Sequence, residues 1–244
     1  MRLNPPMASL LTRWRTAWPW TAHQRLQDPR LKAVHARLRA CKPALLARTP
    51  LAQTRFVVID TETTGFHADA GDEIVSIALI ELQGLEPTGR AYTTLVNPRR
   101  DIPPLSTRIH HITNADVAAA PVIEEVLFDI IPFIGDSILI GHHVQFDIRF
   151  LNKTLYHLCR CRLPHPYLDT MMLYIAVSGR IGHCKLEDVA QFCRVTIHGR
   201  HTAYGDAMAT AAIFQTLATH LSRAEQPVSR LLKCQRAVGQ FHHL

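Results

Sequence analysis

The sequence predicts an α/β fold, in which a mixed central sheet is flanked by helices and preceded by a basic, partly helical N-terminal extension. Three observations carry this prediction. Apolar runs separated by turn residues come first, at Phe56–Ile59, Glu73–Leu82 and Ala91–Val96. Helical patterns that alternate with a further short apolar run follow, and basic residues are concentrated before residue 51. Strands first, then helices alternating with strands, are typical of a mixed sheet with helices on its faces.

The expected strands differ in character. Phe56–Ile59 is a short apolar run ended by polar residues, which is typical of a buried central strand. Glu73–Leu82 and Ala91–Val96 are rich in β-branched residues, and Gln83–Gly89 between them has the composition of a turn. We therefore expect these three segments to form an antiparallel meander. Ser137–Ile140 predicts a second buried strand further along the chain.

Apolar residues at helical spacing predict the helices. The four expected in the domain are Pro121–Ile134, Val144–Leu158, Lys185–Phe192 and Ala203–Leu221. A further helix is expected in the extension, because Asp28 followed by Pro29 has the form of an N-cap and a first helical position. This helix would run to about Cys41 and present one apolar face.

Composition divides the chain into a basic extension over residues 1–50, a domain over residues 51–225 and a C-terminal tail over residues 226–244. The extension holds ten Lys and Arg residues and one acid, a net charge of +9, whereas the rest of the chain carries −2. A segment of this charge could hold a polyanion such as nucleic acid. A solvated basic helix, or contact with anionic lipid, explains the charge equally well.

Bulk properties exclude several classes of protein. An apolar fraction of 47% is too high for a disordered chain. The N-terminus lacks the continuous apolar segment of a secretory signal, and no run approaches the roughly 18 apolar residues that span a bilayer. The six cysteines form no C-x-x-C pair, which predicts free thiols in a reducing compartment. We therefore expect a cytoplasmic protein.

A stripe of apolar residues interleaved with Arg lies near the N-terminus. Its members are Leu3, Met7, Leu10, Leu11, Trp14 and Trp18. Such a stripe could dock on the rest of the protein or lie in a membrane interface. We favour docking or disorder over membrane contact for this segment.

Asp60 and Glu62 are the first candidates for catalytic chemistry. They follow the apolar run of the central strand, and residues two apart on a strand lie on the same face. Two carboxylates that converge at the end of a buried strand suit Mg²⁺ or Mn²⁺, because these ions prefer oxygen ligands. A plain strand-ending turn, in which Asp and Thr are common, is the alternative explanation.

Asp147, His201 and Asp206 complete a candidate set of four carboxylates and one histidine. Asp147 lies in the first turn of an expected helix, where an acid can also simply favour the helix dipole. His201 and Asp206 span the start of the last predicted helix. Four carboxylates suit two hard cations, and a histidine beside them suits a general base.

The order and spacing of these five residues favour catalysis over the structural explanations. The pattern D-x-E at Asp60, G-H-x-x-x-F-D ending at Asp147, and H-x₄-D-A-x-A-T from His201 resembles the DEDD exonuclease superfamily. The histidine five residues before the last aspartate marks the DEDDh, or DnaQ-like, branch, to which the epsilon proofreading subunit of bacterial DNA polymerase III belongs. The resemblance covers about residues 54–221.

This resemblance implies an RNase H-like fold and hydrolysis of nucleic acid from its 3′ end with two divalent metal ions, Mg²⁺ or Mn²⁺. By position, Asp60, Glu62 and Asp206 would hold one ion. Asp60 would bridge to the second ion, which Asp147 would support. His201 would accept a proton from the attacking water. The products would be nucleoside 5′-monophosphates.

Four further residues are carried over as substrate contacts. Thr63 and Thr64 follow the first motif, a stretch that meets the 3′-terminal nucleotide in the family. Phe66 stands where Leu is usual, and it could wedge against the terminal bases or be a core aromatic residue. His110 lies in a segment, Arg108–Thr113, that resembles the family's I-H-G-I-T, whose first histidine approaches the substrate.

Three positions depart from the family pattern. His143 replaces the usual Asn after Gly-His, His111 replaces the Gly of I-H-G-I-T, and Leu105 stands where epsilon-type proteins often carry Glu. None of the three removes an expected metal ligand. They bear on how the terminal nucleotide is held, and therefore on substrate preference.

The sequence favours an epsilon-like exonuclease acting on DNA, with a DNA polymerase or another replication or repair protein as a partner. Only 38 residues follow Asp206, which is short for a polymerase-tethering tail, so we expect a chain that stands alone or is tethered differently. Hydrolysis of RNA or of short oligonucleotides is the alternative activity. A nucleic-acid-binding module that does not cut is the alternative from another class, and the presence of all five candidate residues argues against it. The oligomeric state is not predicted.

Overall fold

The computed structural model describes residues 28–180 and 182–239, with a five-stranded mixed sheet at the centre of this part of the chain. The strands are β1 Arg55–Thr63, β2 Ile74–Gln83, β3 Glu86–Leu95, β4 Ile138–Gly141 and β5 Tyr167–Asp169. Their order in the sheet is β3-β2-β1-β4-β5. β2 is antiparallel to both β1 and β3, while β1, β4 and β5 run parallel. The predicted mixed sheet is therefore confirmed.

Ten α-helices occur within the described ranges. They are α1 Pro29–Ala40, α2 Pro43–Arg48, α3 Pro104–His110, α4 Asn114–Val117, α5 Ile123–Ile134, α6 Gln145–Cys159, α7 Thr170–Ser178, α8 Leu186–Cys193, α9 Ala203–Leu221 and α10 Ser229–Gly239. All five helices predicted from the sequence form, and their ends lie within about two residues of the expected ones. None of these ten helices is long and apolar enough to cross a bilayer.

β1 is the central strand, and its apolar side chains face both sides of the sheet. Phe56 and Val58 belong to one buried cluster, and Val57 and Ile59 belong to the other, as alternation along a strand requires. The first cluster includes side chains of α7, α8, α9 and α10, and the second includes side chains of α1, α5 and α6. The sheet is thus the middle of three layers.

The parallel strands β1, β4 and β5 end at the same edge of the sheet, and Asp60 and Glu62 lie at this edge. The pairing of β1 with β4 ends where Val58 lies opposite Ile140, whereas β1 continues beside β2 as far as Thr63. Asp60 and Glu62 therefore lie beyond the end of β4. In open α/β sheets, the space beyond the carboxyl ends of parallel strands is where ligands bind.

The described part of the basic extension packs on the domain. Asp28 accepts a hydrogen bond from the backbone N–H of Arg30 at 2.8 Å, which is the expected N-cap of α1. α1 buries Leu31, Val34 and Leu38 in the cluster shared with α5 and α6. α10, in the segment expected to be a tail, packs on α7 and β5. The division at residues 50 and 225 stays a prediction, and the N-terminal apolar stripe lies outside the described residues.

Two features of the sheet differ from expectation. β3 begins at Glu86 rather than at Ala91, because Gly84 has a φ of 61° and lets the chain reverse over two residues. Pro87 then pairs with Leu82, and a bulge accommodates the residues that follow.

β5 and α7 were not predicted. β5 has only three residues, and α7 is apolar on nearly every side, so its sequence shows no helical period.

Candidate active site

Three carboxylates converge at the carboxyl edge of the sheet. One oxygen from each of Asp60, Glu62 and Asp206 lies within 4.8 Å of the others. Asp60 and Glu62 come from the end of β1, and Asp206 comes from the first turn of α9, which packs on β1 and β2. The structure thus brings together two motifs that are more than a hundred residues apart in the sequence.

Asp147 lies beside this group in the first turn of α6 and is buried. The hydroxyl of Thr61 donates a hydrogen bond to Asp147 Oδ1 at 2.6 Å. This bond ties Asp147 to β1 between the two acidic residues of that strand. The charge of Asp147 raises the pKa of Asp60, second only to the effect of burial, so the fourth carboxylate is coupled electrostatically to Asp60.

Burial and mutual repulsion disfavour negative charge on these carboxyls when no cation is bound. Burial, followed by the charge of Asp206, raises the pKa of Glu62 to about 7. Burial also raises the pKa of Asp147 to about 7, against the opposing hydrogen bond from Thr61. The pKa values of Asp60 and Asp206 are raised as well, first by burial. A nearby divalent cation would instead favour the charged form of every one of them.

The donor atoms fit a hard divalent cation. All of them are carboxylate oxygens, the ligand type that Mg²⁺ and Mn²⁺ prefer. Asp206 Oδ1 is buried and has no hydrogen-bond partner within the described ranges. A buried acceptor without a donor is unfavourable, and a bound cation would satisfy it.

Arg200 supplies positive charge at the site. Its Nη1 donates a short hydrogen bond to Asp206 Oδ2, and its Nε donates to Glu187 Oε1 at 2.7 Å. Neither Arg200 nor Glu187 was found by the sequence analysis. The position of Arg200 next to His201 was an available signal, whereas nothing in the sequence pointed to Glu187.

His201 lies in the loop that leads into α9, two residues before the helix begins. Its backbone N–H donates to Asp206 Oδ2 at 3.3 Å, and its φ is 62°. The loop is closed by Thr202, whose hydroxyl accepts the backbone N–H of Gly205 at 3.1 Å and so caps α9. A left-handed residue that is not glycine is uncommon, and this one sits beside the carboxylates.

Gly205 allows this loop to close tightly on α9. A Cβ at Gly205 would clash with the backbone carbonyl oxygens of His198 and Gly199, which cannot move without the loop. We expect Gly205→Ala to lower turnover by about 10- to 100-fold through displacement of the loop that carries His201, with only a small loss of Tm. Gly239→Ala is the matched control, since its Cβ would lie 3.4 Å from the flexible end of Met172. Equal turnover in the two variants would show that this loop need not be held closed.

The predicted substrate contacts on the β1–β2 connection differ in their surroundings. Phe66 is 71% exposed, and its ring lies 6.1 Å from that of Phe146, so it is a rim residue rather than a core residue. The hydroxyl of Thr63 donates to the carbonyl of Gly65 at 2.7 Å. Thr64 is buried, and its hydroxyl is hydrogen-bonded inside the protein. Any part of Thr64 in substrate binding would be to shape the loop.

His110 ends α3 and is buried. Its Nδ1 accepts the backbone N–H of Ile112 at 3.1 Å, while its Nε2 is buried without a partner in the described part of the chain. Burial lowers the pKa of His110, which favours the neutral ring. A neutral ring whose Nδ1 is an acceptor carries its proton on Nε2, so His110 presents a hydrogen-bond donor on that side, and the backbone of Thr63 opposes the effect of burial on its pKa.

A cleft of about 210 Å³ opens beside the carboxylates. Its lining is formed by Asp60, His142, His143, His183, Lys185, Leu186, Arg200 and Asp206. The rings of His143 and His183 stack with centroids 4.5 Å apart. His142 is held from both sides, by Thr170 at 3.1 Å and by the carbonyl of Cys184 at 3.0 Å. Basic and imidazole groups therefore line the same cleft as two of the carboxylates, a combination that suits a phosphate bound to a cation.

Comparison with known sequences agrees with this geometry. The family model described as Exonuclease (RNase_T) matches residues 57–214. DNA polymerase III subunit epsilon of Aquifex aeolicus is 34% identical over 177 residues, which cover 72% of this chain and 87% of that protein. A DNA polymerase III subunit epsilon-like protein of Rhodobacter capsulatus is 41% identical over 175 residues, which cover 70% of this chain and 25% of that longer protein.

Solved structures give the same result. Exonuclease X in complex with 5′ overhanging duplex DNA is 27% identical with a TM-score of 0.58, over 72% of this chain and 99% of that one. The nuclease domain of 3′hExo, a DEDDh family member bound to rAMP, has a TM-score of 0.62 at 16% identity, over 71% and 95% of the two chains, and supports the fold alone. The sequence match, the sheet topology and the converging carboxylates agree, and the chain belongs to the DnaQ-like exonuclease family with its RNase H-like fold.

Proposed function

We propose that this protein is a metal-dependent 3′→5′ exonuclease that hydrolyses phosphodiester bonds from the 3′ end of nucleic acid and releases nucleoside 5′-monophosphates. The observation that carries the proposal is the convergence of Asp60, Glu62 and Asp206 within 4.8 Å. DNA is the favoured substrate, because the Aquifex relative is named as a DNA polymerase III subunit and exonuclease X was solved with DNA. A DNA polymerase or another replication or repair protein is the proposed partner on the same ground.

Two divalent ions, Mg²⁺ or Mn²⁺, belong to the proposal. Asp60, Glu62 and Asp206 would hold one ion, and Asp60 would bridge to the second. Asp147, fixed to β1 through Thr61, would support the second ion. When bound, such ions stabilise negative charge on phosphoryl oxygens and favour ionisation of water.

Proton transfer and phosphate binding would be carried out by side chains around the carboxylates. His201 would take the proton of the attacking water, for which a neutral imidazole near pH 7 is suited. The bond from its backbone N–H to Asp206 keeps the base next to the acidic group. Arg200 would direct its guanidinium to a phosphate oxygen of the substrate, a pairing that is favourable in geometry and charge. Glu187 would continue to hold Arg200 when Asp206 turns to a cation.

The residues proposed to act on the terminal nucleotide are Thr63, Thr64, Phe66 and His110, of which Phe66 lies at the rim, His110 is buried, and Thr64 would act by shaping the loop. Phe66 has an exposed ring on which a base can stack. The Nε2–H of His110 would donate to a polar atom of the nucleotide, since it has no partner among the described residues. These contacts involve stacking and backbone groups, so cutting should depend little on base sequence.

The raised pKa values predict a pH dependence of stability in the metal-free protein. Glu62 has a pKa of about 7 in the folded state against 4.5 as its ordinary value. The folded state therefore binds more protons than the unfolded state between these values, and the free energy of unfolding falls as pH rises from about 4.5 to about 7. Excess Mg²⁺ at pH 8 should raise Tm by favouring the charged carboxylates.

The check is calorimetry of wild type and Glu62→Gln in EDTA from pH 5 to pH 8. Other groups that titrate between these pH values are common to both proteins and cancel in the difference. The variant should gain Tm relative to wild type as pH rises. A difference in Tm that does not change with pH would contradict the raised pKa of Glu62.

The activity itself is tested with 5′-labelled and 3′-labelled single strands of DNA and of RNA, incubated with Mg²⁺, with Mn²⁺ and with EDTA. We expect a ladder from the 5′ label, immediate release of mononucleotide from the 3′ label, and no reaction in EDTA. The comparison of DNA with RNA assigns the substrate class. Absence of cleavage with either metal ion would favour a binding module that does not cut.

A further inference from the structure

A second cleft follows the exposed face of α6, outside the carboxylate site. Its volume is about 480 Å³, and its lining includes Asp69, Gln145, Arg149, Asn152, Tyr156 and Arg162. We propose that this cleft, the α6 groove, binds the phosphate backbone of the substrate strand on the 5′ side of the scissile bond. The proposal rests on the proposed exonuclease function and assigns to it a site that holds the part of the strand not being cut.

The position of the groove links it to the carboxylates. Gln145 is the first residue of α6 and lines the groove, while Asp147 in the same turn faces the acidic group. The groove therefore begins one helical turn from the site. From Gln145 to Tyr156, α6 advances by about 17 Å, which is the length of about five stacked nucleotides.

The loop that carries Phe66 forms the opposite wall of the groove. Asp69 in this loop lines the groove, and the ring of Phe66 contacts Phe146 on α6. Lys153 of α6 fixes the loop, because its ammonium group donates to the carbonyl of Asp72 at 2.7 Å. Phe66 thus stands where the carboxylate site and the α6 groove meet, the point at which a strand would pass from one to the other.

The charge of the groove suits a phosphate backbone. Arg149 and Arg162 line it, Arg160 is adjacent, and all three are exposed. Within the described ranges, none of the three arginines forms an ion pair with an acidic side chain. Lys153 is neutralised by Glu73 at 2.6 Å, so it adds little positive charge. The arginines are therefore available to phosphates.

Tyr156 orders two of these arginines. Its side chain is 44% exposed, and the guanidinium carbons of Arg160 and Arg162 lie 4.8 Å and 5.7 Å from its ring centroid. Stacking on the ring restricts both guanidinium groups before any ligand arrives, which lowers the entropy lost on binding. The pair forms a charged end to the groove, beside the C-terminal part of α6.

The test measures binding of a fluorescent single-stranded DNA of about 12 nucleotides to the full chain in EDTA, where hydrolysis is prevented. In the double variant Arg149→Glu with Arg162→Glu, we expect affinity at low salt to fall about tenfold or more. The slope of log Kd against log salt concentration should decrease by about 1.4, because each phosphate contact on a single strand contributes about 0.7. The basic N-terminal segment is present in every variant and cancels in the comparison.

The matched control reverses the same amount of charge elsewhere, with Arg223→Glu and Lys233→Glu, both exposed. Arg223 follows the C-terminal end of α9, about 27 Å along that helix from its catalytic end. The control should bind and cut as wild type does.

A kinetic measurement with Mg²⁺ tests the same groove. KM of wild type should be lower for the 12-nucleotide strand than for a dinucleotide. In the Arg149→Glu, Arg162→Glu double variant, called the α6 groove variant, the ratio of these two KM values should approach one.

The outcomes separate the two proposals. A wild-type enzyme that cuts, together with unchanged binding and salt slope in the α6 groove variant, would overturn the groove and leave the function intact. Weakened binding of duplex alone, with single-strand binding unchanged, would also overturn it, because the groove would then hold the complementary strand. A wild-type protein that does not cut would overturn the proposed function, while the binding measurement in EDTA still decides the groove.

Discussion

Asp60→Asn should lower turnover by about 10³-fold or more while the protein remains folded. Asp60 is expected to contact both ions, so a neutral amide there removes a ligand from each. The same change relieves repulsion, because burial and the neighbouring acids already raise the pKa of Asp60. We therefore expect the metal-free variant to be at least as stable as wild type. Calorimetry with and without Mg²⁺ should show an increase in Tm on metal addition for wild type and little or none for the variant.

The control for this prediction is Asp136→Asn. Asp136 is exposed, pairs with Arg37 at 3.6 Å and precedes β4, at the opposite end of the strand from the carboxylate site. It should cut at the wild-type rate and keep the increase in Tm with Mg²⁺. If Asp60→Asn retained a tenth or more of wild-type turnover, the assignment of Asp60 as the shared ligand would be wrong.

The strands and helices could be predicted where the residues that become buried recur at regular spacing along the sequence. The sequence of Phe56–Ile59 predicts a strand that is buried on both faces, and its side chains alternate between the two helix layers. α9 matches its prediction from Ala203 to Leu221 because an N-cap threonine starts it and its small and apolar residues repeat at helical spacing. For elements of this kind, the sequence shows both where the element begins and which of its residues are buried.

Elements defined by tertiary contacts were not predictable in the same way. β5 has only three residues and exists because it pairs with β4. The start of β3 depends on the bulge opposite Leu82, which follows from register and not from composition. α7 is buried among α9, α10 and β5, so it lacks the polar face that would reveal its period.

The candidate site also contains residues that local sequence patterns predict and residues that they do not. The spacing of Asp60 and Glu62 predicts that they share a face of one strand, and the structure places them together. Strand and helix patterns alone do not bring Asp147, His201 or Asp206 to that point, and the family pattern was needed to connect them. The ion pair that joins Arg200 to Glu187 is a contact between a loop and α8, and only the fold creates it.

The departures from the family pattern acquire a physical meaning in the structure. His111 and His143 replace Gly and Asn, and their φ angles are 61° and 59°. Gly and Asn are the residues that adopt this left-handed conformation most readily, which explains their use at these positions. The two histidines keep the same left-handed backbone conformation, and the ring of His143 lines the cleft beside the carboxylates. Leu105, where Glu is frequent, is 60% exposed on α3.

His201→Ala should retain metal binding and lose most turnover. The side chain of His201 is absent from the carboxylate cluster, so the increase in Tm with Mg²⁺ should match that of wild type. Loss of a general base typically costs about 10²–10⁴-fold in rate, and we expect a decrease in kcat of that size.

His198→Ala is the control for the base, because it removes an exposed histidine three residues earlier in the same loop. His198→Ala should cut as wild type does.

Raising the pH should partly rescue His201→Ala, since hydroxide replaces the water that the base would deprotonate. A purely structural defect would give no such rescue. A loss in kcat smaller than about threefold, measured at saturating substrate and Mg²⁺, would show that another group removes the proton.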